Sequence, residues 1–457
     1  MARNYASQYE RMTGAPVAPL IMRLAIPTTL SMLMTSIYNI ADTAFVGQLG
    51  TSASGAVGIV FAFMAIIQAF GFMFGQGAGS IVSRLLGQKN NDEACVITST
   101  AFFFALGFGI VLSLTSFAFL DQLVMVLGST PTIAPYAKTY ISFILVAAPL
   151  MTASFAMNQI LRYEGRATLG MIGMMTGGLL NIVGDMVLIF GLGMGIAGAG
   201  LSTAVSESVS FCILLWMYLS GRATTRISIR LVTFAPAKVF DIVATGFPSL
   251  LRQGLQSFTT MLLNLQAAPY GDAAIAAMSI VGRVVFLIFS IALGLGQGFQ
   301  PVSGFNYGAR KYSRVRQAYK WGVIICEIIM FCGMVALLVF SNDIIRIFRD
   351  DPEVIAIGTR SLRLQGVALL FVPLALITDM LLQSTGHKLG ATILTFLRGG
   401  IIFIPVILVL SYFRGLAGIQ EAQAVAWAIM FPMATPFIWS FFRKLPKEDG
   451  AEPPKAH

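Results

Sequence analysis

LIMRLAIPTTLSMLMTSIYNIADTAFVG, residues 20–47, is the apolar run that decides the fold class. About 20 apolar residues suffice for a helix to cross a bilayer, so this run predicts a membrane span. Asp42 lies near its far end, and a charged side chain at the centre of such a helix costs roughly 2.5–3.5 kcal/mol or more. Asp42 is therefore a functional candidate, and the alternative is a structural hydrogen bond between helices.

The composition predicts an all-α membrane protein. The chain of 457 residues is 56% hydrophobic and 11% charged, whereas soluble proteins carry about 25% charged residues. The mean hydropathy is +0.80. The first apolar run is too long for a signal peptide and has no small-residue cleavage site, so we expect no cleavable leader. The net charge of +10 is explained by basic loops between spans, and we expect no nucleic-acid partner.

The cysteines and histidines predict neither a metal centre nor a cofactor. Their spacing fits no metal site, and we expect the cysteines to be reduced and packed in apolar helices. The residues concerned are Cys95, Cys212, Cys326, Cys332, His387 and His457.

Twelve spans follow from the apolar runs. They are predicted near residues 20–47, 55–83, 95–119, 137–161, 169–190, 199–219, 240–267, 275–300, 321–340, 364–385, 390–411 and 423–441. With the N-terminus inside, the inner loops and tails hold most of the Lys and Arg residues. The outer side holds Lys138, Arg346, Arg349, Arg360, Arg363 and Arg414. This bias predicts that both termini are cytoplasmic. The membrane expected for such a multi-pass chain is the cytoplasmic (inner) membrane.

The two halves of the sequence repeat with an offset of about 221 residues. Gly75-Gln76-Gly77 matches Gly296-Gln297-Gly298, and Pro27 matches Pro248. Further matched pairs are Ser36 and Ser257, Gly50 and Gly271, Gly87 and Gly308, Gly165 and Gly386, and Gly178 and Gly399. Because each half has six spans, both halves enter from the same side, which predicts two parallel six-helix repeats. The Gly-Gln-Gly segments are interpreted as sites of close helix packing or as hinges.

The repeat sets the predicted domain boundaries. Residues 1–220 form an N-terminal lobe with spans one to six, and residues 240–441 form a C-terminal lobe with spans seven to twelve. The basic segment 221–239 is the predicted cytoplasmic linker between the lobes, and residues 442–457 form a cytoplasmic tail.

Polar side chains cluster at one predicted depth of the first lobe. Residues four apart share a helix face, so Tyr38 lies with Asp42, and Asn181 lies with Asp185 in the fifth span. The first and fifth spans both run outward and place these groups in their outer halves. The sixth span begins outside, and Thr203 lies about one turn into it. These side chains are therefore predicted to meet.

Such a cluster can bind a cation. Two carboxylates in a desolvated site cannot both ionise at low cost in free energy, so the pair can hold and exchange a proton. With the Asn, Thr and Tyr oxygens beside it, the cluster could instead bind Na⁺. The alternative, most open for Asp185 and Thr203, is that these groups only bridge helices.

The second lobe has no matching acidic cluster. The position that corresponds to Asp42 is Leu263. Arg252 and Asp379 could form a buried ion pair, which is often structural. Three further charges fall within spans, and their roles are left open: Glu207, Glu327 and Arg398.

Five segments of the sequence form a recognisable set: Asn39-Ile-Ala-Asp-Thr-Ala-Phe-Val-Gly47, Ser83-Arg-Leu-Leu-Gly87, Asn181-Ile-Val-Gly-Asp185, Gly200-Leu-Ser-Thr-Ala204 and Gln383-Ser-Thr-Gly386. With these segments the chain resembles, across nearly its whole length, the multidrug and toxic compound extrusion (MATE) family, and most closely its DinF-like branch. The resemblance implies a V-shaped pair of six-helix bundles and a secondary transporter rather than an enzyme.

The resemblance also implies roles for single residues. It places five residues around the cation and drug pocket: Tyr38, Asp42, Asn181, Asp185 and Thr203. Asn158 matches a polar position of the substrate pocket, together with Tyr38 and Asn181, and Pro27 matches a hinge of the first helix. The chain departs from the sodium-type branch in its seventh span, which offers Arg252, Gln253 and Gln256 instead of an acid.

The expected function is multidrug efflux by cation antiport, with H⁺ favoured over Na⁺ as the coupling ion. The expected substrates are amphipathic, often cationic drugs or toxins, which would link the chain to antibiotic resistance. Membrane lipids are the other expected partners, and a monomer is expected. The alternative is a lipid-linked precursor flippase of the same superfamily, which the intramembrane arginines keep open. An enzyme or receptor is disfavoured because neither a catalytic constellation nor a sensor domain is present.

Overall fold

The computed structural model describes residues 2–451, and the regular secondary structure of this part of the chain is helical. The helices of the first half are α1 Ala2–Gly14, α2 Val17–Gly47, α3 Thr51–Gly87, α4 Asn91–Ala118, α5 Leu120–Val126, α6 Ala134–Tyr163, α7 Ala167–Asp185 and α8 Gly195–Leu219. Those of the second half are α9 Pro236–Ala267, α10 Asp272–Gly308, α11 Tyr312–Phe348, α12 Pro352–Ala368, α13 Val372–Ser384, α14 Lys388–Phe396, α15 Phe403–Arg414 and α16 Leu416–Lys444.

Short irregular turns extend several of these helices. A π-helical turn, Met186–Gly191, continues α7, and a second one, Leu397–Ile401, joins α14 to α15. A 3-10 turn, Leu369–Phe371, joins α12 to α13. With these joins, 11 segments within residues 2–451 are long and apolar enough to cross a membrane. The all-helical membrane fold class is therefore confirmed.

Helix α9 corresponds to the predicted seventh span but is more polar than the other long helices. It has 32 residues, which is ample length for a bilayer. Its middle carries Arg252, Gln253 and Gln256. These polar side chains lower its mean hydropathy, so it is not among the 11 segments. Polar residues within a span usually face the protein interior or a cavity.

The chain divides into two compact units, and each has one central helix. The first unit is built mainly from Leu30–Leu250, and there α6 packs against α3, α4, α7 and α8. The second unit is built mainly from Leu251 onward, and there α13 packs against α10, α11, α14 and α16. The spans Ala134–Tyr163 and Pro352–Ser384 are the most buried of the 11. In each of them, 72% of an 18-residue apolar stretch is buried inside the protein.

Two of the long helices, α2 and α9, begin in one unit and end in the other. The segment Thr13–Thr29, which holds the first half of α2, belongs to the second unit. Helix α9 changes unit between Leu250 and Leu251, 221 positions after the change in α2. Pro27 and Pro248 lie inside these helices just before the change. The first half of α2 is thus grouped with the second unit, and the first half of α9 with the first unit. The predicted lobes assign both halves of each helix to one lobe, and their boundaries stay a prediction.

The Gly-Gln-Gly segments are sites of close helix packing. A Cβ atom at Gly77 would collide with the backbone of Ile242, and one at Gly246 would collide with the carbonyl group of Met73. In the second unit, a Cβ at Gly298 would lie 2.5 Å from the backbone nitrogen of Ala25. Helices in lipid associate through close packing rather than through the hydrophobic effect. These glycines therefore let α3 approach α9, and α10 approach α2, backbone to backbone.

The predicted linker 221–239 is fastened to the first unit by a buried acid. Glu164, between α6 and α7, accepts hydrogen bonds from the backbone N–H groups of Thr224 (2.7 Å) and Thr225 (3.2 Å) and from the Thr225 hydroxyl. Burial raises the pKa of Glu164 above its ordinary value, although these hydrogen bonds oppose the rise. The Ser99 hydroxyl, on α4, donates to the Arg226 carbonyl at 3.0 Å.

The four cysteines are free thiols. Cys326 is buried, as expected, whereas Cys212 and Cys332 are exposed on their helices. The expectation of packed cysteines is therefore wrong for these two, because an apolar helix can turn one face to lipid. A helix face that contacts lipid carries apolar residues as readily as a buried face does, so an apolar run does not show which of its residues are buried.

Replacing Gly246 with alanine should destabilise the protein, because its Cβ meets backbone that cannot rotate away. Overpacking of this kind costs about 1–3 kcal/mol, and a lower apparent Tm in detergent would report it. Gly254→Ala is the matched control, since Gly254 lies on the same helix with nothing within 4 Å of its Cβ position. Equal Tm values for the two variants would contradict close packing at Gly246.

Candidate cation site

The polar cluster predicted from the sequence lies within the first unit. Asp42 comes from the last turns of α2, Asn181 and Asp185 from α7, and Thr203 from α8. All four side chains are buried, with exposed fractions of 3% or less. Tyr140 from α6 joins them and is fully buried. Four helices therefore bring their polar groups to one place inside an apolar bundle.

Hydrogen bonds connect the cluster. The Tyr140 hydroxyl donates to Asp42 Oδ2 at 3.2 Å and lies 3.5 Å from the Thr203 hydroxyl oxygen. Asn181 Nδ2 donates to the same Thr203 oxygen at 3.1 Å, and Thr203 donates to the carbonyl of Ala199. Tyr140 and Thr203 thus connect the carboxylate on α2 to the amide on α7.

Several oxygens of the cluster have no hydrogen-bond partner in the described part of the chain. They are Asp42 Oδ1, Asn181 Oδ1 and both carboxylate oxygens of Asp185. Asp42 and Asp185 interact electrostatically with each other. A buried charge that lacks partners is strongly unfavourable. The arrangement therefore favours a bound cation or a shared proton.

Small residues on α7 allow this approach. A Cβ at Gly178 would touch Met34 and Tyr38 on α2, and a Cβ at Gly184 would lie 2.5 Å from the Ser202 hydroxyl on α8. The π turn Met186–Gly191 begins directly after Asp185. Such turns are rare and often lie at functional sites. Local glycines and an irregular turn thus position the acid of α7.

The remaining predicted pocket residues differ in their placement. Tyr38 lies one turn before Asp42 and is buried, with an exposed fraction of 8%. Asn158 lies 18 residues after Tyr140 on α6, about 27 Å along the helix, where its amide donates to the Gly170 carbonyl at 2.8 Å. The structure therefore does not bring Asn158 together with the cluster. The roles of both residues stay predictions.

The predicted ion pair of the second unit is loose. Arg252 Nη1 lies 4.0 Å from Asp379 Oδ2, and Arg252 Nη2 lies 3.5 Å from the Gln383 side-chain oxygen. The Thr395 hydroxyl donates to Asp379 Oδ1 at 2.9 Å. Arg252 and Asp379 are thus close in space, but the shorter contact of Asp379 is the hydrogen bond from the neutral Thr395 hydroxyl.

Sequence reasoning missed Tyr140. It stands at the start of the fourth span, which is predicted to run inward, so the sequence also predicts it at the depth of Asp42. The signal was a tyrosine hydroxyl about one turn inside an apolar helix, where it needs a partner when buried. Depth alone could have placed it in the cluster, but its rotation about the helix axis could not be read from the sequence.

The two halves of the chain match one family model twice. The MatE model matches residues 27–187 and 248–437, and the two matches begin 221 positions apart. The chain belongs to the MatE family. Because MATE proteins are secondary transporters, it is a transporter rather than an enzyme. The assignment to the DinF-like branch stays a prediction.

Relatives and solved structures agree with this family. The multidrug export protein MepA of Staphylococcus haemolyticus is 28% identical over 93% of this chain and 94% of its own length. MepA of Staphylococcus aureus (strain MSSA476) is 29% identical over 90% of this chain and 91% of its own length. A multidrug resistance MATE transporter of the MOP superfamily, solved in an outward-facing conformation, superimposes with a TM-score of 0.89 and is 25% identical over 95% of this chain and 97% of that one.

Replacing Tyr140 with phenylalanine should lower the stability of the protein, because Asp42 then loses the hydroxyl that donates to it. A hydrogen bond to a charged group contributes about 1.5–3 kcal/mol, which should appear as a lower apparent Tm in detergent. The control is Tyr136→Phe, one turn earlier on α6, where the side chain is exposed.

A double-mutant cycle tests whether the Tyr140 effect runs through Asp42. In the Asp42→Asn background, Tyr140→Phe should have an effect smaller by about 1 kcal/mol. Additive effects of the two substitutions would show that the hydroxyl stabilises something other than the carboxylate.

Proposed function

We propose that this transporter exports amphipathic, often cationic compounds in exchange for a cation that enters through the cluster of Asp42 and Asp185. The observation that carries the proposal is the pair of buried acids with unpartnered oxygens on α2 and α7. The MepA relatives, which are multidrug export proteins, support a broad range of substrates.

The proposed coupling ion is H⁺. A proton shared between the carboxyl groups of Asp42 and Asp185 would supply the missing hydrogen-bond donor without any further ligand. Na⁺ is the alternative, because the unpartnered oxygen of Asn181 could add to the two carboxylates as an oxygen ligand. The neutral Gln253 and Gln256 in α9, where the sodium-type branch has an acid, favour H⁺.

The exchange follows from differential binding. When the acids are ionised, their charge attracts a cationic compound. When a proton or Na⁺ arrives from outside, it neutralises the cluster and favours release. A ligand can shift a conformational equilibrium only by its difference in affinity between the two states. Drug and ion must therefore compete or favour different conformations.

The remaining predictions concern orientation and movement. The excess of basic residues in the predicted inner loops supports cytoplasmic termini and a location in the cytoplasmic membrane. Pro27 is proposed as a hinge, because proline removes a backbone hydrogen bond from the interior of α2. Its place just before the change of unit in α2 supports that role.

The Asp42→Asn and Asp185→Asn variants should each lose at least about tenfold of ion-driven transport, because neither amide can exchange a proton near neutral pH. The measurement is uptake of ethidium, a permanent cation, by everted vesicles under a pH gradient or a Na⁺ gradient imposed separately. We expect the pH gradient alone to drive uptake by the unmodified protein.

Asp121→Asn is the control for charge removal, since Asp121 is an exposed acid of the same unit that pairs with Lys138 at 2.6 Å. It should transport normally. Unchanged transport by well-expressed Asp42→Asn and Asp185→Asn proteins would rule out the acid pair as the coupling site. Uptake driven by the Na⁺ gradient alone would reassign the ion.

A further inference from the structure

The second unit contains a cavity of about 510 Å³ between its helices. Three arginines from three helices line it: Arg252 on α9, Arg283 on α10 and Arg398 on the π turn after α14. None of the described residues that line it is acidic. Small-molecule sites typically have volumes of about 300–1,000 Å³, so the cavity is large enough for a compact organic ligand.

The arginines outnumber the acids around this cavity. The nearby carboxylate is Asp379, which approaches Arg252 at 4.0 Å and accepts a hydrogen bond from Thr395, a residue of the cavity wall. Arg398 interacts electrostatically with both Asp379 and Arg252. Arg283 lines the same cavity, and its side chain is exposed. One carboxylate therefore faces three permanent cations, and an anion would reduce their mutual repulsion.

Arg398 carries the most specific signal. Its Nη1 atom is buried and has no hydrogen-bond partner among the described residues, and its guanidinium lies over the Phe289 ring at 5.9 Å. It sits in the π turn Leu397–Ile401, a rare backbone form often found at functional sites. A buried guanidinium N–H that lacks a partner is unfavourable, and a carboxylate, sulfonate or phosphate oxygen would satisfy it.

Aromatic residues form another part of the wall: Phe286, Phe289 and Trp427. Flat apolar surfaces of this kind accept an aromatic or aliphatic body. The cavity thus combines anion-binding guanidinium groups with an apolar surface, which is the chemistry of a site for an amphipathic anion.

The two repeats differ at the matched positions. The positions 221 residues before Arg252, Arg283 and Arg398 are Ser31, Ala62 and Gly177, and Asp42 corresponds to Leu263. The first repeat therefore has buried acids where the second has none, and the second has arginines where the first has none. The cavity is not a copy of the cation site.

We propose that the arginine-lined cavity of the second unit binds a small organic anion whose apolar body packs against Phe289 and Trp427 and whose anionic group binds Arg283 and Arg398. This site is separate from the acid pair, and its occupancy at equilibrium needs no ion gradient. The inference therefore does not rest on the proposed antiport.

The test is equilibrium binding of dansylglycine, a fluorescent carboxylate, to the full-length protein in phosphatidylcholine nanodiscs. The uncharged carboxamide of the same compound is the matched ligand, and empty nanodiscs give the background. We expect the carboxylate to bind at least about tenfold more tightly than the carboxamide. Arg283→Gln and Arg398→Gln should each weaken carboxylate binding about tenfold and change carboxamide binding less than about twofold.

Asp379→Asn provides a test in the opposite direction, because removing this negative charge should tighten carboxylate binding several-fold. Loss of a merely structural contact would not produce that gain. Arg346→Gln is the control, since Arg346 is exposed and pairs with Asp350 outside the cavity. If Arg398→Gln does not fold, Arg283→Gln and Asp379→Asn still decide the question.

Equal binding of carboxylate and carboxamide, or carboxylate binding unchanged by Arg283→Gln and Asp379→Asn, would overturn the proposal. A further arm adds phosphatidylglycerol to the nanodiscs to identify the source of the anion. Competition by this lipid that is lost in Arg283→Gln would assign the anion site to a lipid headgroup. Absence of competition would assign it to a free organic anion.

Discussion

The unfavourable burial of two carboxyl groups within one apolar bundle constrains the first unit more than any other interaction. Asp42 and Asp185 come from different helices and are almost inaccessible, and three of their four oxygens have no hydrogen-bond partner in the described part of the chain. A soluble protein could hydrate such groups, but a membrane offers no water outside a cavity. The helices must therefore keep the two acids near each other and near Tyr140. Small residues at Gly178 and Gly184 make this possible by letting α7 approach α2 and α8.

The second unit holds positive rather than negative charges in its interior, namely those of its arginines. Its arginines lie around a cavity instead of in a tight hydrogen-bonded cluster, and Arg252 keeps a long contact with Asp379. Arginine tolerates this better than a carboxylate does, because its guanidinium is weakly hydrated and can lie over an aromatic ring. Arg398 over Phe289 is an example. The two repeats thus share a scaffold and differ in the charge that each holds inside it.

Much of this could be predicted from the sequence, and the limits have physical causes. Apolar runs predict the spans and basic loops predict their direction, because both reflect the energetics of the bilayer. Depth follows from direction, so Asp42, Asn181, Asp185 and Thr203 could be assigned to one level. Helix rotation and packing partners do not follow from depth, which is why Tyr140 was missed. For the same reason the role of Asn158 in the substrate pocket rests on the resemblance alone and stays a prediction; in the structure its amide donates to the Gly170 carbonyl. The exchange of helix halves at Thr29 and Leu250 was also hidden, because packing in space and not chain order defines a compact unit.

The offset of 221 positions also separates what a duplicated chain must keep from what it can change. Gly77 and Gly298 meet backbone in both copies, so any larger side chain there would push two helices apart, and selection is expected to act on them alike. Ionisable residues that line an interior space are not needed for this helix packing. The two copies can therefore carry different ionisable residues there. The small residues at these contacts are therefore what the two copies share, whereas their buried charges are what they do not share. Comparing a chain of this kind with itself, position by position, separates the residues that hold its helices together from the charges that distinguish its halves.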